Sequence, residues 1–169
     1  MDNKIIKKEV ISILVDNQAN VLTRVASLFG RRGFNIDSLT VSATNNPEIS
    51  RITVVFSGTD LALGQIITQT EKLEVVRDIF TLTASTSLYR ELLLLKAKVD
   101  KKDRTAIREI VEIYRAKILD LSKDSMIIEL TGAPEKVDAF MDMMSCYDIV
   151  EVCRTGITGI ERGIKEDHN

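Results

Sequence analysis

Three side-chain amides, Asn17, Gln18 and Asn20, sit in a short polar loop that leads out of an apolar run and straight into the amphipathic stretch from Val21 to Phe29. Amides both donate and accept hydrogen bonds, and the first turn of a helix presents backbone N–H groups that have no acceptor within the helix. Such a loop suits a zwitterionic small molecule, with its carboxylate on the N–H groups and its ammonium on amide oxygens. Nothing in the loop is a base or a nucleophile. The plain alternative is an ordinary helix start capped by Asn20, and the loop taken alone fits that alternative better.

The rest of the chain offers little for catalysis. Acid–base or nucleophilic chemistry needs a positioned base beside a reactive group, but the only histidine, His168, stands in the charged end of the chain. Cys146 and Cys153 have no histidine partner within the folded stretches and are expected to be reduced, small, buried apolar residues. Asp138 and Asp142 are a helical turn apart and could share a cation, although acids so spaced more often form a solvated helix face. Arg31-Arg32 suit the last turn of a helix, where the dipole favours cations, better than they suit an anion site. Asn35, at the entry to a strand, can point across an interface or serve as a plain turn residue. Arg51, Arg90 and Arg154 lie at or near strands in apolar surroundings, equally able to bridge units or to contact a partner protein. Glycine-rich phosphate loops, nucleophile elbows and zinc motifs are absent. The chain is therefore not expected to be an enzyme, and no metal or cofactor is expected in it.

The 169 residues, 44% of them hydrophobic and with a net charge of −2, suffice for one domain or two small ones. No basic face is evident, which argues against nucleic acid, and no apolar run approaches the ~20 residues of a membrane span. The start of the chain lacks the features of a signal peptide, so a cytoplasmic location is expected.

The elements around the loop read as a repeat. Lys8 to Val15 is a nearly continuous apolar run, a strand; Val21, Leu22, Val25, Ala26, Leu28 and Phe29 recur at helical spacing until Gly33. Asp37 to Ala43 and Ile52 to Phe56 alternate as paired strands, Leu63 to Leu73 forms a second helix, and Val75 to Leu82 a fourth strand. The same βαββαβ order returns with strands at Glu91 to Val99, Ile118 to Leu121, Met126 to Thr131 and Ile149 to Thr155. Its helices run from Arg104 to Arg115 and onward from Pro134. The expected fold is α+β, two tandem ferredoxin-like units spanning 1–84 and 85–160, joined through Ala84-Ser85-Thr86-Ser87, with 161–169 as a frayed tail. Both helices of such a unit cover one sheet face, and the other calls for cover that a two-fold dimer of first units would supply.

From end to end the chain resembles the regulatory (small) subunit of acetohydroxyacid synthase, also called acetolactate synthase. The resemblance rests on Asn17 with Val21-Leu22-Thr23-Arg24-Val25-Ala26-Ser27-Leu28-Phe29, on Arg31 to Val41, and on Ile49-Ser50-Arg51-Ile52-Thr53. It continues through Tyr89-Arg90-Glu91-Leu92, Tyr114 to Asp120, Leu130-Thr131-Gly132, Lys136 to Phe140 and Cys153-Arg154-Thr155-Gly156. It implies that the first unit is an ACT domain that dimerises and binds a branched-chain amino acid, usually valine. Asn17, Gln18, Ala19, Asn20, Val21 and Leu22 of one protomer, with Asn35 and Ile36 of the other, would hold the ligand. It also implies a catalytic large subunit as partner, carrying thiamine diphosphate, magnesium and FAD, whose activity this chain would raise and place under feedback inhibition by valine.

One position departs from the family pattern: Asn20 stands where glycine is usual, which keeps a positive φ accessible but adds a side chain to the pocket and predicts weakened valine sensitivity. From a different functional class, the alternative is a free-standing amino-acid-sensing ACT protein or adaptor acting on another enzyme or a transcription complex.

Overall fold

The computed structural model describes residues 6–163; His168 and the remainder of the charged end lie outside the described residues. The first repeat forms β1 (Lys7–Asp16), α1 (Val21–Arg31), β2 (Ile36–Ala43), β3 (Ile49–Gly58), α2 (Asp60–Thr70) and β4 (Val76–Leu82). The second forms β5 (Ser87–Lys98), α3 (Asp103–Ile113), β6 (Lys117–Leu121), β7 (Ser125–Gly132), α4 (Pro134–Met144) and β8 (Ile149–Arg154). Their antiparallel sheets run β2-β3-β1-β4 and β6-β7-β5-β8, the same strand order twice. This is the expected tandem ferredoxin-like α+β fold. A short strand that sequence patterning does not predict, β9 (Thr158–Glu161), follows them.

Two compact units emerge from the packing, one of them discontinuous: it takes the chain through Leu88 and again from Ile157, while Tyr89 to Gly156 form the other. Residues 157–160, assigned to the second unit on sequence grounds, thus pack in the first. The stretch expected to link the units is a tight turn, with Ser87 N–H donating to Thr83 C=O at 2.8 Å and the Thr83 and Thr86 hydroxyls 2.6 Å apart.

Period-two alternation along the strands and helical periodicity along α1 converge on the first core. Ile11, Ile13, Ile52, Val54 and Phe56 of the sheet meet Val21, Val25, Phe29 and Ile66 of the helices. Phe29 stands edge-on to Phe56 with ring centroids 5.6 Å apart. Gly33, at φ 71°, ends α1, and Phe34 N–H returns to Phe29 C=O at 3.0 Å, closing the helix in a left-handed turn that favours glycine. In α2 the start comes earlier than the apolar periodicity suggests, because the Thr59 hydroxyl accepts from Ala62 N–H.

The opposite face of the first sheet carries Ser38, Thr40, Arg51, Thr53, Val10, Ser12 and Phe80, and part of it is covered by the chain itself. Ser12 and Thr53 are 0% and 1% exposed, the Thr40 hydroxyl donates to Ile157 C=O, and β9 lies against β4. The need for cover that sequence reasoning assigned wholly to a dimer is therefore met in part by residues returning from the second unit.

The second core is built from Leu93, Leu95, Ile107, Val111, Ile128, Leu130, Val137 and Phe140. Both cysteines, expected to be buried, are exposed. Cys146 follows the last turn of α4, and Cys153 pairs with Leu94 on the sheet face away from the helices, where an edge strand leaves it uncovered. Of the three arginines left open, Arg154 is committed inside the second unit: it bonds the Glu91 carboxylate, 5% exposed, and reaches Asp138 on α4 at 2.6 Å. Asp138 is thus an ion-pair partner rather than half of a cation site with Asp142. Despite partial burial, which opposes the charge, these two carboxylates raise the guanidinium above its usual range.

Removing Arg154 strands the Glu91 carboxylate in a nearly dry position. Arg154→Leu is expected to lower unfolding free energy by about 2–3 kcal/mol, below the ~3–5 typical of fully buried pairs because Arg154 keeps some solvent. Chemical denaturation checks this, and Arg154→Leu combined with Glu91→Leu should recover most of the loss.

Candidate functional site

The amide loop occupies the turn between β1 and α1 and is tied at its base from both sides. Asp16 N–H donates to Val75 C=O at 2.9 Å, and Asn17 N–H to Glu48 C=O at 2.7 Å. Arg77 Nε meets Asp16 Oδ1 at 2.5 Å. The Asn17 side chain is half committed: Nδ2 donates to Pro47 C=O at 2.9 Å, which fixes the orientation of the amide and of its acceptor oxygen Oδ1. Sequence reasoning found Asn17 but not these anchors. Asn45-Asn46-Pro47 reads only as a turn, and the reach from Asn17 to Pro47 spans 30 residues.

Beyond Asn17 the loop stays open. Gln18, Ala19 and Asn20 are exposed, and Gln18 N–H turns back to Asp16 C=O at 2.9 Å. Asn20 stands at the N-cap with φ 66°, ψ 1°, and its side chain makes no capping bond. The expected cap is therefore present by position only. Its left-handed backbone explains the residue choice, because among non-glycine residues asparagine adopts that region most readily. Val21 is buried in the core and offers only its backbone, while Leu22 keeps an exposed side chain.

Electrostatically, the start of α1 differs from the other helix starts. It has no side-chain cap, no acid in its first turn and no proline, so no side chain of its own first turn offsets the positive dipole end. In α2 the start carries Thr59 and Asp60, in α4 Pro134 and Glu135. The matching loop of the second unit holds its own anion: Asp100 Oδ1 accepts from Lys102 N–H at 3.1 Å and Asp103 N–H at 3.3 Å. Slight desolvation opposes the charge there, yet these hydrogen bonds prevail and hold the Asp100 carboxyl below its ordinary range.

Asn35 and Ile36 lie elsewhere. Ile36 opens β2 opposite Phe56, which pairs with Glu9, whereas the loop follows Asp16, paired with Ile49. From the level of Glu9 to that of Asp16 a strand rises roughly 23 Å, so one chain cannot bring Asn35 and Asn17 to the same small molecule. Strand β2 is an edge, with Val41 46% exposed, and a two-fold partner running antiparallel along it would carry its own Asn35 toward the loop end.

Among the described residues no group of three or more His, Cys, Asp or Glu side chains could hold a metal ion, and no helix is long and apolar enough to cross a membrane. An open cavity of about 510 Å³ in the second unit is lined by Asp100, Lys101, Asp124, Cys146 and Tyr147 among others, and its charges are mixed. Arg51 donates to the Ser12 hydroxyl at 3.1 Å, with its guanidinium 5.8 Å from the centre of the Phe80 ring, and Arg90 turns back to Tyr89 C=O.

Comparison with known proteins places the chain in a family. Residues 11–78 match the family described as the AHAS small subunit-like ACT domain, and residues 90–163 match the small subunit of acetolactate synthase. A probable acetolactate synthase small subunit of Archaeoglobus fulgidus is 45% identical over 94% of this chain and 99% of its own. The acetolactate synthase small subunit of Mycolicibacterium smegmatis is 43% identical over 90% of each. Among solved structures, the acetolactate synthase small subunit of Thermotoga maritima superposes with a TM-score of 0.86 at 38% identity, covering 94% of this chain and 99% of that one. With matched length, repeated fold and an ACT domain at its N-terminal half, the chain belongs to the small-subunit family of acetolactate synthase, whose members are regulatory rather than catalytic.

Proposed function

We propose that this chain binds valine, or a closely similar branched-chain amino acid, between the first units of two copies. Through that site it would regulate a cytoplasmic catalytic large subunit that carries thiamine diphosphate, magnesium and FAD. The observation that carries the reading is the start of α1, a helix terminus left without a cap or acid of its own beside a pre-aimed amide oxygen. A ligand carboxylate replaces the missing anion and its ammonium meets Asn17 Oδ1. Asn35 and Ile36 of the second copy close the site from the other side. The apolar side chain of the ligand then lies near exposed Leu22 and half-buried Ile36.

In the complex, the chain acts by shifting the large subunit between states of different activity. The purified chain is expected to make no acetolactate by itself and to raise the rate of its large subunit several-fold. Equal rates with and without the chain, under conditions where the two co-elute, would contradict this.

Calorimetric titration with valine tests the pocket. Asn20 adds a side chain where glycine is usual, and crowding of about 1–3 kcal/mol corresponds to a roughly ten- to hundred-fold weakening. Asn20→Gly should therefore bind valine at least about tenfold more tightly, and Asn17→Ala, which loses both the ammonium acceptor and the tie to Pro47, should not bind measurably. Unchanged affinity in Asn20→Gly would show that the side chain is accommodated.

The shared site makes binding depend on the dimer. Val41→Lys, which places a charge on the β2 edge, is expected to reduce the mass seen by light scattering and to lose valine binding together. Loss of mass with binding intact would place the whole site within one chain.

A further inference from the structure

The two edges of the second unit's sheet differ. Strand β6 breaks its register in mid-strand, between Ile118 and Asp120, and carries Lys117 and Asp120, devices that keep an edge from pairing. Strand β8 is bulged only near its start: the register against β5 shifts between Lys96 and Ala97, which leaves Val150 out of the ladder. From Glu151 to Arg154 the pairing is regular, and Thr155 extends it, its N–H donating to Leu92 C=O at 3.1 Å. This run contains no lysine and no proline, and Val152 within it is 42% exposed.

The hydrogen-bond phase of the run is fixed at its two ends. Thr155 N–H points at β5, and beyond the bulge Asp148 C=O accepts from Lys98 N–H at 2.8 Å. Along an antiparallel pair, residues bonded to the partner strand alternate with residues turned away from it. Glu151, Cys153 and Thr155 therefore spend their backbone groups on β5. Val152 and Arg154 hold theirs outward, where no further strand of the described residues lies.

We propose that this rim pairs with the same rim of a second copy, antiparallel about a two-fold axis through Cys153. Directly opposed residues share a sheet face, and a two-fold axis perpendicular to the sheet keeps each residue on its own face, so the axis passes through a residue and not between two. An axis at Glu151 opposes two carboxylates and one at Arg154 two guanidiniums, both disfavoured by like charge. An axis at Val152 matches Arg154 with the bulged Val150. At Cys153 every residue from Glu151 to Thr155 finds a regular partner. Val152 and Arg154 of opposite copies exchange both backbone hydrogen bonds, and the valine packs on the arginine's methylene stem, whose guanidinium is drawn away to Glu91 and Asp138. Glu151, neutralised by Lys96 at 2.9 Å, meets a threonine. The two Cys153 residues form the non-hydrogen-bonded pair at the centre, with Cα atoms ~4.5 Å apart on the face away from the helices. The contact shares no residue with the β2 edge or with the amino-acid site, and it requires no ligand.

The native thiol at the axis reports the contact. Cα atoms this close lie within disulfide range, so diamide, whose N=N bond takes up the two thiol hydrogens as the sulfurs join, is expected to link two full-length chains through Cys153. Mass spectrometry of the linked peptides identifies the joined residues in the unmodified chain, whether or not any variant folds. The link should survive Cys146→Ser and vanish in Cys153→Ser. It should also survive Val41→Lys, which strikes a different edge. In Val152→Lys, which sets a charge on the rim at a position already open to solvent, the yield should fall at least about tenfold, with circular dichroism checking that this variant is folded. Linkage through Cys146 to the same extent as through Cys153, or an unchanged yield in folded Val152→Lys, overturns the pairing. Absence of the link overturns it too, including the case in which Val152→Lys instead loses the large subunit, which would assign the rim to that partner.

Discussion

An uncompensated helix start is the constraint on which the rest depends. At the beginning of α1 the chain declines the usual ways of satisfying the first N–H groups: no hydroxyl or carboxylate caps them, and Asn20 stands there in a left-handed backbone with its side chain unused. Such a terminus favours negative charge beside it. Around it the first unit is stiff. Strands β1, β3 and β4 hold the loop at Asp16 and Asn17, and the core beneath it closes on Phe29 and Phe56. The open groups are therefore held in place by structure that makes no use of them. The contrast with the second unit is instructive, since there the same loop has been filled by Asp100 and the helix start no longer needs a guest.

The proposed site places a demand on how two copies would meet. Strand length separates Asn17 from Asn35 by more than any amino acid can span, while the edge position of β2 leaves its first residues free for a neighbour. A site divided in this way, as proposed, would respond to ligand and to association together. Binding energy spent at the junction of two copies is also well placed to move strands relative to one another, as a regulatory subunit without chemistry of its own requires.

Much of the fold was legible because alternation along strands such as Ile52-Thr53-Val54 and the helical spacing of Val21, Val25 and Phe29 survive in the observed cores. The strand order repeats because the pattern repeats. Other features were not legible for physical reasons. β9 is too short and too interrupted by Gly159 to show a period. The pairing of Arg154 with Glu91 joins residues 63 apart, and nothing local in either marks the other. Cys153 sits in an apolar run that looks like core, but in an edge strand half of that run faces outward. The amides of Asn17, Gln18 and Asn20 mark the loop in the sequence, and Ala19, Val21 and Leu22 join it through the resemblance, whereas the loop's anchors at Pro47, Val75 and Arg77 depend on tertiary pairing alone.

A crystal structure of the chain grown with L-valine tests the central claim most directly. The account predicts the ligand carboxylate on the N–H groups at the start of α1, its ammonium within hydrogen-bond distance of Asn17 Oδ1, and Asn35 of a second copy completing the site. Valine bound elsewhere, or held within one chain with no contribution from a second copy, would contradict it.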